Sequence, residues 1–356
     1  MAARVVDYSP LLSTPTPHEV AEYRARARAE GAAWSKTSVT GIIAGILFAI
    51  VSAIVVIPVL GGILLFATEG LRSGSPLAVV FLLLFVLGIG VVGFAIVRVV
   101  IAARGTWGRR LRMDRFARAN GFAYSPVDGD PDYPGAIFGL GHTREVLDCF
   151  RTVEGRFVDF GNYRYVTGAG KSRATHDWGY LALRLDRKLP HMVLDSRTNN
   201  GMFGASNLPI RFADDQILSL EGDFDDYFRL YCPAEYERDA LYVFTPDLMA
   251  LLIDTASPFD VEIIDDWLFV YSSKPFPPAD PAVYRRLLDI VATVGAKTLS
   301  QTDRYHDERA AAPFEADVVA PQGTRLKRGV SAVAVVMIVV AGLIWGWSFF
   351  SDVLGG

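Results

Sequence analysis

The residues that could do chemistry are few and scattered along the chain. Gly168-Ala169-Gly170-Lys171-Ser172 carries the glycine, lysine and hydroxyl of a phosphate-binding loop, in which backbone N–H groups and a helix N-terminus cradle the anion. Such a loop needs a glycine five residues before the final Gly-Lys-Ser, where Tyr165 stands, and a helix directly after the serine. A strand, Trp178 to Leu185, is expected there instead, so a hairpin connection accounts for the glycines. Asp128, Asp130 and Asp132 alternate as at the opening of a calcium loop, but Tyr133 occupies the turn-glycine position and Gly139 the bidentate-glutamate position. Glu221, Asp223, Asp225 and Asp226 lack that spacing altogether, and both clusters read as solvated turns. His18, His142, His176, His191 and His306 show no metalloprotease spacing, and no Gly-x-Ser-x-Gly elbow is present. His176-Asp177 is a suggestive pair, yet neighbours on a strand face opposite ways. Cys149 and Cys232, the two cysteines, are too few for a framework and read as core residues. No catalytic, cofactor or metal residue is nominated, and the balance leans away from an enzyme. A site assembled from scattered residues would gather near His142, His176 or His191.

The 356 residues are 51% hydrophobic and 21% charged, with mean hydropathy +0.27 and a formal charge of −4. This excludes a disordered, collagen-like or disulfide-stapled chain. The apolar residues concentrate in three segments. Gly41 to Ala67 and Pro76 to Val97 are uncharged, as is Gly329 to Phe350, and each reaches the roughly 20 residues that a helix needs to cross a bilayer. Transmembrane helices are therefore expected over 39–67, 76–103 and 329–350, the first two forming an N-terminal hairpin. Arg24, Arg26, Arg28 and Lys36 precede the first and Arg104 to Arg118 follow the second. Arg325, Lys327 and Arg328 precede the third. The positive-inside rule then places the N-terminus and the central domain in the cytoplasm and the C-terminus outside, in a multi-pass plasma-membrane protein. Gly41, Gly45, Ala49 and Ala53 form a small-residue stripe suited to helix packing in a homo- or hetero-oligomer. The segments hold no buried Asp, Glu, Lys or His, so they read as anchors and not as an ion path.

Between them the pattern changes. Thr16-Pro17-His18-Glu19 is a capping box opening a helix in the N-terminal region, 1–38, either solvated or lying on a membrane surface. Residues 104–118 extend the second helix as a basic juxtamembrane stretch, ended by Asn120-Gly121 as a left-handed cap. Residues 119–302 alternate between strands and a few helices, an α+β domain of mostly antiparallel strands. Strands are expected at Phe157 to Val166, Trp178 to Leu185, Met192 to Leu194, Ile217 to Leu220 and Ala240 to Phe244. Asp260 to Ile264 and Trp267 to Tyr271 flank Asp265-Asp266 as a tight hairpin. Thr245-Pro246 and Asp280-Pro281 open helices, the second bearing Tyr284, Leu287, Leu288, Val291 and Val294 on one face. Residues 303–328 form a charged linker. The loop 196–215, long and without periodicity, is expected to gate a pocket, bind a partner or stay disordered. Residues 119–324 hold 19 Lys and Arg against 32 Asp and Glu, a charge of −13 that would repel nucleic acid.

At Asp223 to Tyr271 the order of features resembles a family of uncharacterised bacterial, actinobacterial membrane proteins carrying a domain of unknown function. Phe224-Asp225-Asp226-Tyr227-Phe228-Arg229-Leu230-Tyr231, Glu237-Arg238-Asp239-Ala240 and Phe244-Thr245-Pro246-Asp247-Leu248-Met249 carry the likeness. Leu189 to Asp195 and an N-terminal two-helix hairpin add to it. The resemblance implies a bacterial inner-membrane address and supplies no catalytic residue; the third apolar segment departs from the family pattern.

The function expected from sequence is a binding or scaffold module at the lipid bilayer, with a protein partner, no nucleic acid and no cofactor. The alternatives are a membrane-anchored enzyme with an unrecognised site, and an accessory subunit of a transport or envelope-assembly complex.

Overall fold

The computed structural model describes residues 5–32, 34, 58–74, 77–200, 206–303, 305–310 and 317–329. The chain divides into two compact units, Tyr8–Phe116 and a second made of Met1–Asp7 with Ala117–Gly356.

In the first unit, Thr16 caps the helix Pro17–Ala29. Glu19 N donates to Thr16 Oγ1 (3.3 Å) and Thr16 N to Glu19 Oε2 (2.7 Å), the reciprocal box the sequence announces. Arg115 also donates to Glu19. The backbone N–H of Thr16, then the guanidinium, hold this carboxyl down at about 2. Tyr23 and Ala27 are buried, with Tyr23 6.3 Å from the rings of both Trp34 and Trp107 and Arg110 over both indoles. Tyr23 and Ala27 of this helix's apolar stripe are thus covered by protein.

The expected multi-pass transmembrane architecture is corrected here. Among the described residues no helix is long and apolar enough to cross a membrane. The helix Leu77–Asn120 ends in a basic stretch, 105–120, which carries five arginines. Helix-to-helix contact does exist, with Phe66 stacked on Phe81 at 5.7 Å, but the transmembrane hairpin over 39–67 and 76–103 is not found. Residues 39–57, with the Gly41, Gly45, Ala49 and Ala53 stripe, and 330–350 of the C-terminal segment lie outside the described residues.

The second unit is α+β, built on one antiparallel sheet. The long helix ends at Asn120, with Gly121 at φ 77°, a left-handed position that favours glycine. The strands β1 (Phe122–Asp128), β2 (His142–Thr152), β3 (Val158–Thr167) and β4 (Ala174–Ser196) follow as a meander. Along its second half β4 pairs with β6 (Phe228–Tyr231), itself paired with the two-residue β5 (Ile217–Leu218). On its other side β4 pairs with β7 (Asp260–Ser272) from Gly179 to Leu194.

Two expectations fail in this unit. Ala240 to Phe244 belongs with the helix Glu237–Val243, not a strand, because Tyr236, Ala240, Val243 and Phe244 are buried with a helical period. Asp265-Asp266 is no hairpin turn either: β7 runs through it, still paired to β4 on both sides. Asp265 nevertheless has φ 53°, and Glu262 Oε2 lies 2.6 Å from the Tyr271 hydroxyl. A straight strand would separate residues nine apart by about 30 Å, so the strand folds sharply here and β4, irregular between Arg184 and Met192, folds with it.

Alternation then assigns the two faces. Tyr163, Tyr165, Tyr180, Trp267, Phe269 and Tyr271 line the inner face, closed by Ile137 and Phe138 from the turn after β1. The other face carries Phe160, against which Tyr284 packs at 5.9 Å from the helix Pro281–Ile290. The expected helix openings hold at both places: Pro246–Leu251 follows Thr245, and Asp280 Oδ1 accepts from Ala282 N (2.9 Å). Residues 324–329 return to the fold in the sheet region. Arg325 grips Asp265 with two bonds of 2.9 Å, Lys327 and Gln216 bond reciprocally at 2.9 Å, and Gly329 N donates to Arg211 O (2.9 Å).

Candidate functional site

The β3–β4 hairpin carries one end of the aromatic inner face. Tyr165 and His176 are cross-strand partners on that face, and their rings stack 4.7 Å apart at 16°. Thr167 Oγ1 and His176 Nε2 are 2.8 Å apart, which fixes the imidazole at the strand end. The glycine-rich string 168–172, expected as a hairpin connection, is the turn of this hairpin: Gly168 and Gly170 have φ of 68° and 56°, and Lys171 is exposed. Trp178 lies two residues further along β4. Together with Leu140 and Gly141, and with Asn207 and Pro209 from the loop after β4, these residues line a groove of about 480 Å³. That volume lies within the range of ordinary ligand sites. Its walls are rings and aliphatic carbon with two hydroxyl-bearing residues, Tyr165 and Thr167, and one amide, Asn207, and no Asp, Glu, Lys or Arg lines it.

The three histidines do not converge. His142 is exposed at the start of β2, and of the three only His176 lines the groove. His191 is buried and forms a pair with Glu262 (Nε2 to Oε1, 2.7 Å), at first sight a catalytic dyad. Its Nδ1, however, accepts the Leu326 N–H at 3.0 Å, so Nε2 carries the proton and no ring nitrogen is left to accept one from a substrate. Glu262 is satisfied in turn by Ala136 N (2.7 Å) and the Tyr271 hydroxyl (2.6 Å). Gly135 is required beside them, since a Cβ there would collide with that hydroxyl. Asp159, also buried, accepts from Tyr133 (2.7 Å), Tyr180 (2.9 Å) and Arg151 (2.8 Å).

The acidic turns are pinned by protein donors. Asp130 holds Tyr163 (2.9 Å) and Arg144 (2.7 Å), and Asp225 holds Ser219 and Leu220 N. Among the described residues no three of His, Cys, Asp and Glu are grouped so as to hold a metal ion. Cys149 and Cys232 are buried free thiols, raised by burial to about 12 and about 11, far from the reactive thiolate range.

Sequence spacing gave no sign of a second buried pair, Asp195 and Asp260. Burial, with the negative Asp195 beside it, pushes the Asp260 carboxyl up to about 7 against the pull of the Ser196 N–H. Asp195 is likewise raised by burial. The loop 196–215 is part of this region where it is described. Ser206 Oγ donates to Asp195 Oδ1 (2.8 Å), and Asn207, which lines the groove, donates to the Asn199 carbonyl. Residues 201–205 of that loop lie outside the described residues.

No protein-family model matches the chain, and no curated protein matches it either. Among solved structures, the mycobacterial trehalose monomycolate transport factor A, TtfA, is similar with a TM-score of 0.35 and 12% identity, over 53% of this chain and 94% of that one. At that level the likeness carries no argument.

Proposed function

We propose that the α+β unit is a binding module whose groove takes a ring-bearing segment of a partner protein, an aromatic or proline side chain on an extended peptide. The lining carries this reading: stacked Tyr165 and His176 beside Trp178, Leu140 and Pro209, with the Thr167 hydroxyl and the Asn207 amide at hand for peptide groups. Aromatic-lined grooves bind proline-rich or aromatic segments by burying ring faces at low entropic cost. The absence of charge from the lining disfavours a phosphorylated or strongly acidic segment. Catalysis finds less support, because the buried His191–Glu262 pair is committed on every side and the groove joins His176 to no carboxylate.

Selection of peptides from a random display library on the full-length chain tests the proposal. Enriched sequences should be rich in proline or aromatic residues, and filling the groove by Asn207→Trp should weaken them at least about tenfold. Peptides that bind Asn207→Trp as well as the wild type, or a library without enrichment, would remove the groove from consideration.

A further inference from the structure

The turn at one end of the groove carries two cations that no acid of the fold neutralises. Thr167, in the groove wall, pairs with Ala174, and the chain between them bears Lys171 and Arg173, both exposed. Elsewhere along this meander the arginines are matched. Arg144 reaches Asp130, Arg151 Asp159, Arg156 Asp186 and Arg164 Asp177, all at 2.7–2.8 Å, and Arg184 pairs with Asp266. Lys171 and Arg173 have no ion pair and no side-chain hydrogen bond among the described residues. Asp177 and Glu145, the carboxylates on the adjoining stretches of β4 and β2, are both taken by Arg164.

Residues 119–324 sum to −13, so an acidic side chain approaching this unit is repelled by the unit as a whole and drawn to this turn. We propose that the segment bound in the groove carries one acidic residue, Asp or Glu, close to its ring, and that Lys171 and Arg173 receive that carboxylate. The inference rests on the groove reading and adds to it the register in which a peptide lies. An extended peptide advances about 3.3 Å per residue, and Arg173 stands three residues before His176 on the chain, so the acid falls within roughly three positions of the ring. The uncharged walls take the ring, while the carboxylate stays in water at the rim, which suits a single acid and not an acidic run. A rim pair of this kind contributes about two- to fivefold in affinity, and its main effect is to fix register and exclude basic competitors.

The test pans a random peptide display library on the full-length chain and on the double variant Lys171→Glu, Arg173→Glu, whose changes lie on exposed positions. Wild-type selections should place Asp or Glu within about three positions of the enriched ring, and the double variant should select Lys or Arg there instead. A soluble peptide taken from the wild-type selection should bind the double variant at least about fivefold more weakly, and should leave Lys188→Glu, an exposed lysine further along β4, unaffected. Rings enriched without a neighbouring acid, or an acid preference that survives the charge reversal, would overturn this inference and leave the groove reading standing. Acid-bearing peptides that bind the groove-filling Asn207→Trp as well as the wild type would overturn it by showing that the turn works apart from the groove. A library without any enrichment would remove the groove, and this inference with it.

Discussion

Glu262 and Asp260 stand two residues apart on one strand, and each is at most 1% exposed, yet their surroundings are opposite. Glu262 receives three donors, His191 Nε2, Ala136 N and the Tyr271 hydroxyl, at 2.6–2.7 Å. Asp260 receives the Ser196 N–H at 2.8 Å, with the Asn199 side chain beside it, and faces another carboxyl. Glu262 thus resembles Asp159, which gathers two tyrosines and an arginine. Burial alone does not tell what a carboxylate is for. The number of donors already committed separates a carboxylate that the fold holds charged from one that burial pushes toward its neutral form.

The contrast has a sign that unfolding experiments can read. Glu262→Ala leaves a buried imidazole, a tyrosine hydroxyl and a peptide N–H without their acceptor, and should cost about 3–5 kcal/mol in denaturant unfolding of the protein. A loss below about 1 kcal/mol would show that the three donors find other partners and would dissolve the distinction. Asp260→Asn removes a charge that has little compensation. Its unfolding free energy should stay within about 1 kcal/mol of the wild type or rise above it. A loss as large as that of Glu262→Ala would place Asp260 among the structural acids.

Glu19 supplies the exposed counterpart and the smallest effect. Its carboxyl is lowered from 4.5 to about 2 by Thr16 N–H and Arg115, so the folded state binds its proton later than the unfolded one. The stability it contributes is fully present above pH 4.5 and is lost as pH falls toward 2. Helical circular dichroism should decline over that window in the wild type and less steeply in Glu19→Gln; parallel curves would detach the capping box from the acid response.

What could be read from the sequence depended on how local the cause was. Thr16-Pro17, Thr245-Pro246 and Asp280-Pro281 start helices within four residues, all with proline in the first turn and the first and last with a side-chain cap, and all three starts are found. Gly121 ends a helix for an equally local reason. Ala240 to Phe244 misled because its apolar residues suit either period, and burial by distant elements decides which one is used. The fold at Asp265 is shared with β4, 76 to 81 positions earlier, and no pattern within β7 announces it. Trp178 to Leu185 and Met192 to Leu194 were separable in sequence because Asp186-Arg187-Lys188 interrupts them, although all belong to β4. For the same reason the groove and the Asp195–Asp260 pair were illegible. Each joins segments 60 or so residues apart in places, through sheet pairing rather than spacing. The apolar runs were legible as composition alone, and composition did not deliver a span among the described residues.

The return of residues 324–329 to the folded ribbon has a mechanical side. Arg325 on Asp265, Leu326 on His191 and Lys327 on Gln216 fasten three consecutive residues to three separate strands or turns. Tension applied to the chain beyond residue 329 would meet the Gly329–Arg211 bond first and then these fasteners in sequence, like stitches taking load one after another. The His191–Glu262 knot comes behind them, so the domain is built to yield at its seam before its centre feels the pull.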